Sequence, residues 1–405
     1  MRRDAGRFKV WWKGAFCAAL LVLAALLVLP QVRNRTRGAL EEGGLSVSQA
    51  LGGSADPGYL RAEKPRRFTF PADHGPHPGF RNEWWYFTGN LTGADGRRFG
   101  YQLTFFSTAL TPHAAKRESA WGADDVFMAH FAVTDVNGKR FHFAERFSRA
   151  ALGLAGAAGD PFAVHLEDWS ARQFKAGPWG VHLSAADSDM AIDLDLTAVK
   201  PEILNGEGGL SRKSATPGNA SYYYSVPRLS TAGVIRVGGE RFTVKGISWL
   251  DREWSTSALE SGQVGWDWFA LHLDDGRDLM FYQLRRRDGS SDPFSGGTLV
   301  AADGGTRTLK REDVQLQVAS WWTSPESGAR YPALWRLRVP SVHLALEVVP
   351  RLPDQELRTG FRYWEGAVAI KGLQGSPNGS GYLEMTGYRS GAADAGHAGK
   401  DERKE

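Results

Sequence analysis

The segment Trp249-Leu250-Asp251-Arg252-Glu253-Trp254 carries the residues of this chain best suited to chemistry. Read as a strand, it sends Trp249, Asp251 and Glu253 to one face and Leu250, Arg252 and Trp254 to the other. Two carboxylates side by side repel each other, and burial among aromatic rings penalises their charged forms, so at least one pKa should rise. A carboxylic acid that keeps its proton at neutral pH is what hydration of an alkene needs. It protonates one carbon of a C=C bond and leaves a carbocation. The ring faces of Trp249, Tyr222 and Tyr224 would stabilise that cation by roughly 0.5–2 kcal/mol each, and water would then add. The structural alternative is that Asp251 and Glu253 pair with cations near Arg252, or with Arg228, and tie two halves of the chain together.

Other candidates are less specific. Glu83 precedes Trp84-Trp85, and it can face a ligand or cap a barrel end by accepting hydrogen bonds. Glu365, after Tyr363-Trp364, has the same two readings. Trp84, Trp85, Trp266, Trp268 and Trp364 are the tryptophans expected to line an apolar ligand site, with Glu83 and His130 as its polar members. His130 on a strand is either a wall histidine or a proton shuttle. The His74-Gly75-Pro76-His77 spacing lacks an evident third ligand, so no metal is expected, and no cofactor. The sole cysteine, Cys17, lies in an apolar run, which removes thiol catalysis and zinc-thiolate chemistry from the folded part. There is no Gly-x-Ser-x-Gly elbow, His-Glu-x-x-His helix or phosphate-cradling loop.

The elements that must position these residues are strands. Glu83-Trp84-Trp85-Tyr86-Phe87 is followed by Asp95-Gly96 and Tyr101-Gln102-Leu103; about 180 residues on, Gly265-Trp266-Asp267-Trp268-Phe269 is followed by Asp275-Gly276 and Tyr282-Gln283-Leu284. Each copy reads as an aromatic strand, an Asp-Gly turn and a second strand, a β-hairpin. Alternation continues through Phe127–Val133, Met190–Leu196, Trp335–Val339 and Val342–Val348. The expected fold is all-β, with two tandem closed β-barrels at residues 68–235 and 236–390. Residues 38–67 read as a linker and 391–405 as a solvated tail. The Gly-rich stretch from Asn205 to Gly218 reads as a long functional loop.

Residues 1–37 form a signal or membrane-anchor segment, in which a cationic stretch precedes an apolar run from Gly14 to Leu29. The chain has 49 basic and 45 acidic residues. The first 37 hold eight of the former and one of the latter, so the remaining 41 and 44 give −3, a mildly acidic body. No basic stripe is present, and nucleic acid is not an expected partner.

Asn82–Gly89, Ala220–Ser225, Ser248–Ser255, Gly265–Phe269, Tyr363–Gly366 and Gly381–Tyr388 occur in that order and together resemble the AttH-like, lipocalin-like family. That family includes carotenoid 1,2-hydratases (hydroxyneurosporene synthases) and bacterial proteins described as secreted hydrolases. The resemblance spans about residues 68–389 and implies two packed lipocalin-like (calycin-type) barrels. It also implies a companion ABC transporter of the lipoprotein-releasing type. It maps the hydratase acid onto Asp251 and the neighbouring aromatics onto Tyr222, Tyr224 and Trp249. The hydratases carry His and Trp where this chain has Tyr222 and Tyr224, a departure that counts against carotenoid hydration. The leading expectation is an exported protein at the periplasmic face of the bacterial inner membrane, or free in the periplasm if the segment is cleaved, that binds a lipid or isoprenoid and works with a transporter permease. The alternative is a hydratase-type lyase with Asp251 as general acid.

Overall fold

Two Asp-Gly turns set the plan of the molecule. Gly96 (φ 82°) and Gly276 (φ 85°) take the left-handed backbone that a residue without Cβ adopts at no steric cost. Gly93 N–H meets Arg97 O at 2.8 Å and Leu273 N–H meets Arg277 O at 2.9 Å, so both aromatic repeats fold as hairpins. The computed structural model describes residues 58–388 except 114–117, 175–177, 257–258 and 261. The expected N-terminal segment, most of the linker and the tail lie outside the described residues.

The first sheet comprises β1 (Asn82–Gly93), β2 (Arg98–Ala109), β3 (Asp125–Asp135), β4 (Arg140–Arg149), β5 (Ala155–Gly159), β6 (Phe162–Leu166), β7 (Trp169–Gln173), β8 (Gly180–Asp187), β9 (Met190–Ala198), β10 (Ile203–Leu204), β11 (Leu210–Arg212), β12 (Ala220–Val237) and β13 (Glu240–Ser255). The second comprises β14 (Gln263–Leu273), β15 (Asp278–Arg286), β16 (Gly296–Val300), β17 (Thr306–Lys310), β18 (Gln315–Thr323), β19 (Arg330–Val339), β20 (Leu344–Pro350), β21 (Glu356–Arg358), β22 (Arg362–Gly372) and β23 (Gly379–Met385). Both are antiparallel meanders whose first strand pairs with the last, β1 with β13 and β14 with β23. In each circuit the gap follows the fourth strand, between β4 and β5 and between β17 and β18. The result is two curled, nearly closed barrels of one plan.

The division between barrels falls between Ser255 and Gln263, not at residue 235/236 as expected. The Gly238-Gly239 pair, both at positive φ, is a hairpin turn that joins β12 to β13. β13 then bonds to β1 and completes the first circuit, so it cannot belong to the second barrel. The stretch from Asn205 to Gly218 is also less free than a long loop, because β11 pairs with β12.

Period-two alternation sorts the side chains into three apolar clusters. Trp85, Phe87, Tyr101, Trp169, Tyr224 and Trp254 pack inside the first barrel. Phe269, Trp335, Leu346 and Trp364 pack inside the second. Tyr86, Tyr223, Trp249, Trp268, Tyr282 and Tyr382 form a third, between the outward faces of the two barrels. Polar contacts hold those faces together. Asp278 of the second barrel accepts Arg228 at 2.7 Å and Lys200 at 2.8 Å from the first. Asn90 donates to Gly381 O at 2.9 Å, and Thr134 to Gln355 at 2.7 Å.

Candidate functional site

Three neighbouring strands of the first barrel bring one row of side chains to its outer wall. Asp251 on β13 stands opposite Tyr86 on β1 and Ser225 on β12, and Glu253 stands opposite Trp84 and Tyr223. Directly opposed residues of an antiparallel pair share a face, so all six point toward the second barrel. Asp251 is 3% exposed. It accepts hydrogen bonds from Tyr223 Oη at 2.5 Å, Ser225 Oγ at 2.5 Å and Trp249 Nε1 at 2.6 Å. Among the described residues it has no cation partner. Burial pushes its pKa up to about 7, against the pull of the three hydrogen bonds and with a further push from the Glu253 charge. Glu253 differs because Lys213 lies 3.0 Å away and also sits over the Tyr282 ring at 4.4 Å. Burial would lower the Lys213 pKa, but the Glu253 charge and hydrogen bond, together with Tyr282 and Asp251, outweigh it and keep the ammonium protonated.

The second barrel answers with its own row. Tyr282, Trp268, Glu384 and Glu365 are successive cross-strand partners on β15, β14, β23 and β22. Trp266 Nε1 donates to Glu384 Oε1 at 2.6 Å, and Tyr86 Oη donates to Glu365 Oε1. Burial pushes Glu384 up to about 8, and burial with the neighbouring Glu384 charge pushes Glu365 well above the usual carboxyl range. The rows touch through Trp268, whose Nε1 donates to Tyr223 Oη at 3.1 Å and whose ring meets Tyr86 edge-on at 4.9 Å. The site is therefore a set of acids with raised pKa values, beside one Lys213–Glu253 ion pair and among aromatic rings, at the junction of two barrels and in the lumen of neither.

The structure brings together Asp251, Glu253, Trp249, Trp84, Trp266 and Trp268. It places the other expected site residues elsewhere. Tyr222 and Tyr224 are turned away from Asp251: their cross-strand partners are Trp254 and Arg252, so both face the first barrel's core. Tyr222 Oη donates to Lys64 O at 2.9 Å and Tyr224 Oη meets His74 Nδ1 at 2.6 Å. The tyrosine beside Asp251 is Tyr223. Trp85 also faces inward, beneath the Arg252 guanidinium at 4.0 Å. Glu83 accepts Arg252 Nη2 at 2.6 Å and the His77 amide at 3.1 Å, which is the capping arrangement. Trp364 lies in the second core, its Nε1 donating to Pro353 O at 2.8 Å. His130 lies in the Asp251 row, two strands beyond Tyr86, and bridges the barrels with Nδ1 2.6 Å from Tyr363 Oη and Nε2 3.0 Å from Glu145. Arg252 and Arg228, the cations of the structural alternative, are occupied by Glu83 and Asp278.

Sequence reasoning missed Tyr223, Ser225, Lys213 and Glu384, and left Glu365 ambiguous. A signal for Glu384 existed: Leu383-Glu384-Met385 puts one carboxyl between two core residues of a strand, on the face opposite theirs.

The AttH-like family model matches residues 61–388. A crystal structure described as AttH from Nitrosomonas europaea is 35% identical, covers 81% of this chain and 99% of its own, and superposes with a TM-score of 0.72. The crystal structure of kievitone hydratase from Nectria haematococca shares the fold at 14% identity and a TM-score of 0.62, covering 82% of this chain and 97% of its own. In sequence, kievitone hydratase of Fusarium solani subsp. phaseoli is 24% identical over 210 residues, 47% of this chain and 56% of that enzyme, so the chain matches little more than half of its length. On the extent of the family match and the likeness to the Nitrosomonas structure, this chain belongs to the AttH-like family.

Proposed function

We propose that the protein is a hydratase-type carbon–oxygen lyase that adds water to an isoprenoid or polyene C=C bond, with Asp251 as the proton donor. One observation carries the reading: Asp251 is buried, is held by three neutral donors and makes no ion pair among the described residues, the nearby Lys213 being paired with Glu253. A carboxyl whose pKa is near 7 is half protonated at neutral pH and strong enough to act as an acid there. Transfer of its proton to one alkene carbon forms a C–H bond and leaves the cation on the other carbon. The rings of Trp249, Trp268 and Tyr223 surround the acid and lower the cost of that charge in a site with little water. Glu253 neutralises the Lys213 ammonium, which would otherwise oppose a cation. Homology to kievitone hydratase supports the reaction class.

The carrier reading rests on a different observation, the apolar N-terminal segment from Gly14 to Leu29. In it the same aromatic junction holds a lipid or isoprenoid without reacting, on the periplasmic side, for an ABC transporter of the lipoprotein-releasing type. One experiment separates the two. Full-length protein and Asp251→Asn are incubated with linear isoprenoids such as squalene and with kievitone, and products are read by mass spectrometry. Gain of one water with wild type, reduced ~100-fold or more in the variant, supports the enzyme. An unreacted lipid retained equally by both supports the carrier and removes Asp251 from any chemistry.

A further inference from the structure

Hydration moves two protons, and Asp251 accounts for the first. When water adds to the cation, its oxygen must lose a proton to a base on the site wall. Glu365 and Glu384 stand directly opposite each other on β22 and β23, on the face turned toward Asp251's barrel. Among the described residues neither has a cation partner. Glu365 is fully buried; its Oε1 takes the Tyr86 hydroxyl, and its Oε2, with no other partner, is placed to carry the shared proton and donate it to the Glu384 carboxylate. Glu384 is only half-buried, and Trp266 Nε1 fixes one of its oxygens at 2.6 Å. Two adjacent carboxyls in so dry a place cannot both ionise, so they share one proton and one negative charge. An ordinary structural role does not account for this arrangement, since a buried acid and a half-buried one beside it without a cation cost stability.

We propose that Glu384, with Glu365 as its positioning residue, is the second acid–base group of the site and takes the proton released when water attacks the carbocation. The proposal rests on the hydratase reading of Asp251. The steps balance. Asp251 gives H⁺ to one carbon, the π pair forms the C–H bond, water oxygen bonds to the other carbon, and its extra proton passes to Glu384. That leaves the glutamate pair doubly protonated and Asp251 ionised, and one proton returns from the pair to Asp251 through water before the next turnover. The net reaction is alkene plus water to alcohol. Glu384 is the member that reaches substrate because it is the less buried of the two, whereas Glu365 is sealed behind Tyr86.

The test is turnover of an isoprenoid alkene, squalene first, in D₂O by full-length wild type, Glu384→Gln, Glu365→Gln and Asp251→Asn, reading alcohol formed and deuterium washed into recovered alkene. Reversible protonation of carbon needs only Asp251, so Glu384→Gln should lose alcohol formation by ~100-fold while keeping deuterium wash-in within a few-fold. Asp251→Asn should lose both. Glu365→Gln should fold, turn over more slowly and move the acid limb of the pH–rate profile upward, because a lone carboxylate loses the hydrogen bond that shares the proton; a space-filling residue would not move it. If both glutamine variants hydrate within a few-fold of wild type with its pH profile, the proposal is overturned and the hydratase reading stands. If Glu384→Gln loses wash-in together with hydration, the pair is not specific to the water step and the proposal is again overturned. Wild type that neither hydrates nor exchanges the alkene removes both readings.

Discussion

Replacing Asp251 with asparagine should abolish a pH-dependent loss of stability whose sign and size follow from burial. The ordinary carboxyl value is 3.8, and in the folded protein burial pushes Asp251 up to about 7. Between those values the folded state binds more protons than the unfolded state, so stability falls as pH rises, by about 1.4 kcal/mol per unit for one group. Because the folded pKa is the raised one, the stabilisation from the bound proton is complete below about pH 4 and gone above about pH 7. The span of about three units corresponds to about 4 kcal/mol, an upper figure because the site can relax around the charge. Asparagine keeps the shape. Its Oδ1 accepts Trp249 Nε1 and Ser225 Oγ, and its amide donates to the Tyr223 oxygen in place of the carboxyl proton. The free energy of unfolding of Asp251→Asn relative to wild type should therefore grow by about 4 kcal/mol from about pH 4 to about pH 8, measured by urea titration at several pH values. Taking the difference cancels groups with the opposite sign, such as Glu83, which burial raises but the Arg252 charge holds below its usual value. A difference that stays constant with pH would refute the claim that Asp251 is buried without a cation.

Three further outcomes test the placement of neighbouring groups. Tyr223→Phe removes a donor to the Asp251 carboxylate and should raise its titration by about one unit, seen as a loss of stability that continues about one pH unit higher at the same slope; Tyr222→Phe and Tyr224→Phe should not move it. Arg252→Met strands Glu83 inside the first barrel and should cost about 3–5 kcal/mol in urea unfolding at neutral pH, with much of the loss recovered in the double variant with Glu83→Gln. Asp278→Asn unpairs Lys200 and Arg228 at the barrel junction and should cost a similar amount, about 3 kcal/mol, with separate unfolding of the two barrels as the sign that the junction was their main coupling.

Much of this was legible in the order of residues. The two Asp-Gly turns and the aromatic strands before them are local signals, since turn geometry depends on two or three residues and glycine alone meets it without strain. The alternation of Trp249, Asp251 and Glu253 against Leu250, Arg252 and Trp254 is also local, and the structure keeps it: the first three face the junction and the others the first barrel. The run Tyr222-Tyr223-Tyr224 shows where such reasoning stops. Three like residues on a strand carry no mark of which faces the acid, and register with β13 decides it. The same limit explains the barrel boundary. Gly238-Gly239 looks like punctuation between domains, but it is a turn within one, because β13 finds its second partner in β1, about 160 residues earlier.

By itself the sequence determined the all-β class, the doubling of one barrel plan, the family and the strand that carries Asp251, because these rest on period, turn chemistry and short motifs. Only the tertiary structure decided that the acids face each other across the junction of two barrels, that Tyr223 and not its neighbours bonds to Asp251, and that Glu384 and Glu365 join the site. Those facts depend on the register between paired strands, which selects Tyr223 over its neighbours and sets Glu365 against Glu384, and on the packing of one barrel wall against another, and neither leaves a local trace in the chain.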